Sequence, residues 1–275
     1  MSNTIQKAPA AALILLLHAL PLSLLFTGAR RRDWVAFGVF YVVILFALGA
    51  GLHRYFAHRS FKTSRTFQLL LALLGACFFG DPIGFSGRHR LHHRHSDTER
   101  DIHDPRRGFW HAWMGRLLDE GYSEQEILAA TRDLAAYPEL LWLHRYFPAV
   151  GILSAALVWW AGGYTMLAAG YGLSCCLIAV HGASAINFFG HTAANRRYHT
   201  PDRSSNNAFL GVVMFGEGWH NNHHHSPGAA RAGFLWYEVD VLYYMLRVLD
   251  RLGLVWDLRE APAAARLRIL MEVNP

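Results

Sequence analysis

The fold class is decided by residues 146–195, YFPAVGILSAALVWWAGGYTMLAAGYGLSCCLIAVHGASAINFFGHTAAN, which contain no Asp, Glu, Lys or Arg. As one α-helix these 50 residues would be about 75 Å long, enough to cross a hydrocarbon core of ~30 Å twice. Two consecutive glycines, Gly162 and Gly163, lie in this stretch and favour a turn. The segment therefore predicts two membrane spans, at about residues 146–161 and 164–188.

Two further apolar segments precede it, at about residues 10–27 and 34–52. The first lacks a small-residue cleavage site and runs into Arg30, Arg31 and Arg32, so we interpret it as a span and not as a secretion signal. Hydrophobic residues make up 53% of the chain and charged residues 17%, against roughly 25% charged in soluble domains. We therefore predict an all-α integral membrane protein: one domain over residues 1–275, four transmembrane helices, and a helical cap formed by residues 53–145 and 191–275.

Histidines are the second unusual feature of the sequence. Three clusters supply eight imidazoles, and a ninth follows Asn187 by one helical turn; the nine are His53, His58, His89, His92, His93, His191, His220, His223 and His224. A neutral imidazole nitrogen is the commonest metal ligand in proteins and suits iron, copper and zinc. Because eight ligands are too many for one mononuclear site, the sequence predicts two metal ions.

The spacing within the clusters predicts how the rings are presented. Two clusters have the pattern i, i+3, i+4, which would let each direct three rings at one point from one helical face. His53 and His58 are about 140° apart on an α-helix, so we expect a distorted helix where the second span emerges. Asn187 and His191 share a helical face. Further histidines were candidates for orienting the ligands, namely His95, His103, His111 and His225.

If the clusters bind the same metal ions, their positions also predict the membrane topology. The first two clusters can meet only on the same membrane face, so the apolar segment at residues 67–79 should be an interfacial or buried helix and not a span. Four spans then place the three clusters and both termini on one side, expected to be the cytoplasmic side of a bacterial inner membrane. The three arginines at residues 30–32 would face the opposite side, against the positive-inside tendency.

Other metal chemistries fit the sequence less well. The zinc-protease motif His-Glu-x-x-His is absent from the sequence, and the Glu-x-x-His motif of carboxylate-bridged bundles occurs once, at Glu217–His220. A non-catalytic metal-binding or metal-transporting membrane protein remains an alternative, although a transporter would be expected to place ligands near the midplane. No dinucleotide or phosphate-loop fingerprint occurs, so electrons for a redox reaction would come from a separate partner.

The clusters resemble the three histidine boxes of the integral-membrane fatty acid desaturases, specifically the acyl-CoA delta-9 type. The first box is HRYFAH at residues 53–58, and the second is GRHRLHHRHSD at residues 87–97, followed by DIHDPRRGFW at residues 101–110. The third is GEGWHNNHH at residues 216–224, and the pair Asn187 and His191 is similar to an additional ligand segment of that family. The resemblance covers about residues 34–250.

The resemblance implies two non-haem iron ions in the cap. One iron would take His53, His58, His89, His93 and His223; the other would take His92, His191, His220 and His224, with Asn187 holding a water molecule beside it. The implied reaction is O2-dependent desaturation of a fatty acyl chain, and the alternative is a hydroxylase, an acetylenase or another oxidative enzyme acting on an acyl or alkyl chain. The electron donor would be a ferredoxin, a flavoprotein or a cytochrome b5-like protein.

Substrate handling can also be predicted. The alkyl chain should lie between the second and fourth spans, with its length limited by bulky residues such as Phe37, Phe40 and Tyr41. The net charge of +6 suits lipid headgroups or an anionic acyl carrier, either coenzyme A or acyl carrier protein, and a lipid-linked acyl group is a third option. We expect contact with the carrier from Arg88, Arg90, Arg106 and Arg107. Nucleic acid is not an expected partner.

Overall fold

The computed structural model of the chain describes residues 4–118 and 121–263, which are mostly helical. The helices are α1 (Thr4–Thr27), α2 (Arg31–Ala57), α3 (Arg65–Ala76), α4 (Pro82–His95), α5 (Glu124–Ala130), α6 (Arg132–Ala135), α7 (Pro138–Gly162), α8 (Tyr164–Thr192), α9 (Ala208–Val213), α10 (His220–His225) and α11 (Val241–Arg251). Shorter helical turns lie at Pro105–Arg107, His111–Gly115 and Arg116–Leu118. Strands β1 (Lys62–Thr63) and β2 (Val255–Trp256) pair antiparallel.

Four helices of the described chain, α1, α2, α7 and α8, are long and apolar enough to cross a membrane, which confirms the predicted number of spans. All four helices are longer than their predicted spans, and the extensions of α7 and α2 bear on the site. Helix α7 begins at Pro138, eight residues before the uncharged stretch, because a proline at the first helical position fits the helix geometry. Helix α2 continues to Ala57 and so includes the first histidine of the site.

The turns between the spans define the end of the bundle that is remote from the histidines. Gly28 and Gly163 adopt positive φ angles of 67° and 78°, which glycine accepts without steric cost. The guanidinium of Arg32 donates a hydrogen bond to the carbonyl of Gly162 at 2.9 Å, so the α1–α2 and α7–α8 turns lie side by side. The histidine clusters are therefore at the opposite end of all four spans.

Helix α3 has 12 residues and is too short to span, as predicted for this segment. Ser64 caps its N-terminus, since the Ser64 hydroxyl accepts a hydrogen bond from the Phe67 amide at 3.1 Å. It packs against the last turns of α2 and against α7, and four of its residues are buried on that face together with Gln68. After α3 the chain is therefore still at the histidine end of the bundle, where α2 ends.

Helix α4 carries the second cluster across the ends of the spans. Asp81 caps it by accepting hydrogen bonds from the amides of Ile83 and Gly84 at 3.0 and 2.9 Å, and Pro82 occupies its first position. At Gly87 a Cβ atom would lie 3.1 Å from the Cα of Ile127, so α4 and α5 pack with their backbones close together. This contact fixes how far the histidines of α4 project over the bundle.

Candidate metal centre

The first group of rings comes from three helices. Helix α2 and the residue after it supply His53 and His58, α4 supplies His89 and His93, and α10 supplies His223. Their Nε2 atoms face one another: His58 to His89 at 2.8 Å, His53 to His223 at 3.1 Å, and His93 to His223 at 2.9 Å. Ligand atoms of four of these side chains, all except His93, lie within 4.8 Å of one another.

A widened helical turn explains how His53 and His58 meet. Residues Phe46–Ala57 form π-helix, in which an amide bonds to the carbonyl five residues earlier, and the His58 amide contacts the His53 carbonyl at 3.2 Å in this way. Five residues then amount to about one turn, and the two ring centroids are 5.0 Å apart. The expected distortion of this helix is present, and it brings both rings to the same side.

The second group consists of His92, His191, His220 and His224, whose ligand atoms also lie within 4.8 Å of one another. The Nε2 atoms of His191 and His220 are 3.0 Å apart. Both i, i+3, i+4 clusters are divided between the groups, so the expectation that each cluster directs three rings at one point was wrong. His92 and His93 are adjacent and about 100° apart around α4, so they face different groups. The resulting membership is the one that the family resemblance implies, while metal binding itself stays a prediction.

Four carboxylates orient rings of the two groups within the described chain. Asp101 accepts from Nδ1 of His92 at 2.9 Å, Asp97 from His191 at 3.0 Å, and Asp202 from His224 at 2.6 Å. Glu217 accepts from His53 and also pairs with Arg54 at 2.9 Å. A carboxylate that fixes the proton on Nδ1 leaves the lone pair of Nε2 directed into the group. Orientation was expected from other histidines, and of these His103 does lie beside a candidate ligand, with its ring 5.0 Å from His92.

Burial favours the neutral form of most of these rings. It lowers the pKa of six of them well below the ordinary value, and the neighbouring imidazoles lower it further: His58, His89, His93, His220, His223 and His224. Burial alone would raise the pKa of Glu217, but the positive charge of Arg54 and the hydrogen bonds from His53 and Arg54 lower it to about 2. At neutral pH the six rings are therefore uncharged and Glu217 is ionised, which is the state that binds metal.

Two ring nitrogens test directly whether a metal fits. The Nε2 atoms of His92 and His224 are buried and have no hydrogen-bond partner among the described residues. A buried polar atom without a partner costs about 1–3 kcal/mol, so such atoms are rare unless a ligand satisfies them. Both atoms belong to the second group and both rings have carboxylate-bound Nδ1 atoms, so a metal ion would complete their contacts.

A third group, His18, Cys176 and His181, lies among the spans and has a different character. The indole N–H of Trp113 donates to Nδ1 of His181 at 3.0 Å, so that nitrogen carries no proton and Nε2 does. Nε2 of His181 then donates to Nε2 of His18 at 3.0 Å, and Nδ1 of His18 donates to the Ile14 carbonyl at 2.6 Å. Every ring nitrogen of His18 and His181 is therefore hydrogen-bonded without a metal.

A cavity of about 910 Å³ adjoins both candidate metal groups. His53, His89 and His220 form part of its wall together with Glu217 and Asn187. Its apolar wall includes Leu45 and Leu48 of α2, Ile178 of α8, and the neighbouring Phe78 and Met214. The alkyl chain was expected between α2 and α8. Phe37, Phe40 and Tyr41, which were expected to limit the chain length, are not among the residues that line this cavity; the ring of Phe40 packs on that of Phe78 at 6.2 Å, and the hydroxyl of Tyr41 donates to the Val213 carbonyl at 2.6 Å.

The four arginines expected to contact a carrier occupy different environments. Arg88 is exposed and lines the cavity. Arg90 points into the cap, where it donates to the carbonyls of Phe56 and Ala57 at 2.8 Å and pairs with Asp133, so its expected contact with a carrier is not supported. Arg106 pairs with Asp104 at 2.8 Å, and both it and Arg107 are exposed on the loop after α4.

Comparison with known proteins agrees with the geometry. The fatty acid desaturase family matches residues 32–257. The chain is 36% identical over 236 residues to the sn-1 stearoyl-lipid 9-desaturase of Anabaena variabilis, covering 83% of this chain and 86% of that protein. It is 33% identical to the delta-9 acyl-lipid desaturase 2 of Arabidopsis thaliana, covering 92% and 82%, and 32% identical to the acyl-CoA C20 delta5-desaturase of Anemone leveillei, covering 88% and 78%. The chain therefore belongs to the fatty acid desaturase family.

Proposed function

We propose that this desaturase holds two iron ions between its histidine groups and uses them to introduce a double bond into a fatty acyl chain. The observation that carries the proposal is the pair of inward-facing imidazole groups beside one apolar cavity. When bound, iron would supply the oxidising power, drawn from O2 and two electrons, that an unactivated C–H bond requires.

The ligand sets follow the two groups. His53, His58, His89, His93 and His223 would hold one iron, and His92, His191, His220 and His224 would hold the other. Asn187 lines the cavity near His220, which supports a role in holding a water molecule beside the second iron. The carboxylates on Nδ1 would keep each ring in the tautomer and orientation that the metal needs.

The apolar residues of the cavity would hold the alkyl chain away from water. Leu45, Leu48 and Ile178 line one continuous space with His53 and His89, so a bound chain would pass close to the metal groups. Excluding water protects a reactive site from side reactions and strengthens the electrostatic interactions inside it. The reacting carbons would be selected by where the chain ends in this space.

Electrons would come from a separate donor, such as a ferredoxin, a flavoprotein or a cytochrome b5-like protein. The site would face the cytoplasm of a bacterial inner membrane, where such donors are present. The histidine end of the bundle is also the end where α2, α4, α8 and α10 converge, so the cap would be the surface accessible to the donor.

The product of the reaction tests this proposal. The gene should be expressed in a bacterial host that lacks desaturases, and the lipid fatty acids analysed by mass spectrometry after derivatisation of double bonds. We expect monounsaturated acyl chains with one double-bond position predominating, and none with the His224→Ala variant. Accumulation of hydroxylated chains in place of unsaturated ones would contradict the proposal and favour a hydroxylase.

A further inference from the structure

The rim of the cavity carries little positive charge. Its exposed polar residues are Arg88, Ser123 and Glu124, with Asp81 buried behind them. A Cβ on Gly84 would lie 2.1 Å from Oδ2 of Asp81 and 3.0 Å from Nη1 of Arg88, so the carboxylate and the guanidinium flank the same glycine. Among the described residues of the cavity wall, Arg88 is the one arginine or lysine.

An imidazole joins the two carboxylates of this rim. Nδ1 of His144 contacts Asp81 at 2.6 Å, and its Nε2 contacts Glu124 at 2.7 Å. A ring whose two nitrogens both face carboxylates must donate from both, so His144 carries a positive charge. The rim then has two cations and two anions, and its net charge is close to zero.

Cations that could add to this rim are directed elsewhere. Arg90 is bound inside the cap by Asp133 and three carbonyls, and Arg106 lines a separate hollow beside His191 together with Arg196 and Arg203. Between Tyr122 and Ile127, which both line the cavity, the chain has Glu124 and Glu126 and no Lys or Arg, and Glu126 is paired with Arg100 outside the cavity wall. A polyanion arriving at this rim would meet carboxylates as often as cations.

The cavity also extends to the membrane-spanning helices. Ala10 is the first residue of the apolar span of α1, Phe147 lies in the first part of α7, and both contribute to its wall, as does Leu118, whose side chain is partly exposed. Ala10 and Phe147 come from two different spans at the histidine end of the bundle. An acyl chain that is already anchored in the bilayer could therefore enter from the side.

On the basis of the proposed desaturase function, we propose that the substrate is an acyl chain esterified in a membrane glycerolipid, and not acyl-coenzyme A or acyl carrier protein. Coenzyme A carries a phosphomonoester and a diphosphate, and proteins bind such groups with clusters of Arg and Lys. Acyl carrier protein is acidic and would need a similar surface. A near-neutral rim beside the ends of two spans fits an uncharged ester linkage at the membrane interface.

The test uses the complete enzyme in nanodiscs with reduced plant-type ferredoxin as electron source. One preparation contains 1-stearoyl-2-oleoyl-phosphatidylglycerol, and the other contains dioleoyl-phosphatidylglycerol with added stearoyl-coenzyme A. We expect the lipid-linked stearoyl chain to be desaturated at least about tenfold faster, a difference of about 1.4 kcal/mol, because a rim without net positive charge offers the phosphates of coenzyme A no compensating attraction. Equal rates, or faster turnover of stearoyl-coenzyme A, would overturn the inference and leave the desaturase function intact. Turnover of neither by iron-loaded protein would instead contradict the proposed function.

Binding provides a readout that does not depend on turnover. The dissociation constant of stearoyl-coenzyme A should stay constant or fall as salt rises, because salt screens repulsion from carboxylates. Glu124→Gln should tighten this binding by about two- to fivefold, within the range of a single exposed charge interaction. Glu99→Gln, at an exposed carboxylate outside the cavity wall, is the matched control and should change nothing. Binding that weakens steeply with salt, or that is unaffected by Glu124→Gln, would count against the proposal.

Discussion

The carboxylates behind the histidines distinguish the two candidate sites at the scale of single residues. Three of the four carboxylates, Asp97, Asp101 and Asp202, contact rings of the second group, whereas Glu217 alone contacts the first. Carboxylate-bound imidazoles are more basic and better oriented ligands. The second metal should therefore depend more on these contacts than the first.

Asp202→Asn tests this dependence. The substitution places an amide where Nδ1–H of His224 needs an acceptor, so we expect metal affinity at the second site to fall about 10- to 100-fold. Metal titration followed by elemental analysis measures the loss. Asp133→Asn is the control, because Asp133 pairs with Arg59 and Arg90 and touches no candidate ligand. A fall of the same size in both variants would assign the effect to general destabilisation.

His224→Ala should abolish desaturation while the protein still inserts into the membrane, because the change removes a candidate ligand outside the four spans. His18→Ala removes a histidine that is hydrogen-bonded among the spans and should retain most activity. Product analysis and membrane fractionation measure both variants side by side. Near-normal turnover by His224→Ala would show that the third cluster is not a ligand set.

At the scale of helices, the site depends on how closely α4 approaches its neighbours. Gly87→Ala would place a methyl group 2.6 Å from Cγ2 of Ile127 and 3.1 Å from its Cα, and overpacking of this kind costs about 1–3 kcal/mol. We expect α4 to shift and metal content to fall, as measured on purified protein. Gly38→Ala, in α2 with no atom within 4 Å of the new methyl group, should leave the metal content unchanged. Equal metal content in the two variants would refute this role of the α4–α5 contact.

The sequence was sufficient for the spans and for the histidines, since apolar length and ligand type are properties of consecutive residues. The spacing of the histidines alone was insufficient for the division of each cluster between two groups, which only the family resemblance implied, because that division depends on the direction in which α4 and α10 cross the bundle. For His53 and His58 the sequence predicted only a distorted helix, and not the π-helical turn that brings the two rings to the same side. Asp202 gave no signal in its own segment, since its contact with His224 joins a loop to α10 and forms only after folding.

At the scale of the whole molecule, the arrangement of the spans leads to a test of orientation. Reporter fusions after Arg65, Glu120 and Pro275, of which the last two lie outside the described residues, should all report the cytoplasm, and a fusion at Gly162 should report the opposite side. The adjoining turns at Arg32 and Gly162 support this arrangement, despite the arginines on the outer side. A signal from the opposite side at Glu120 would mean that the segment containing α3 crosses the membrane.

The central claim is that the nine histidines form two metal sites, and metal stoichiometry tests it most directly. Protein produced in iron-sufficient cells should be purified, loaded anaerobically with ferrous iron, and measured by elemental analysis against protein concentration from amino-acid analysis. The two interleaved groups predict saturation at about two irons per chain. Saturation at one iron per chain in a fully loaded, active preparation would contradict the account.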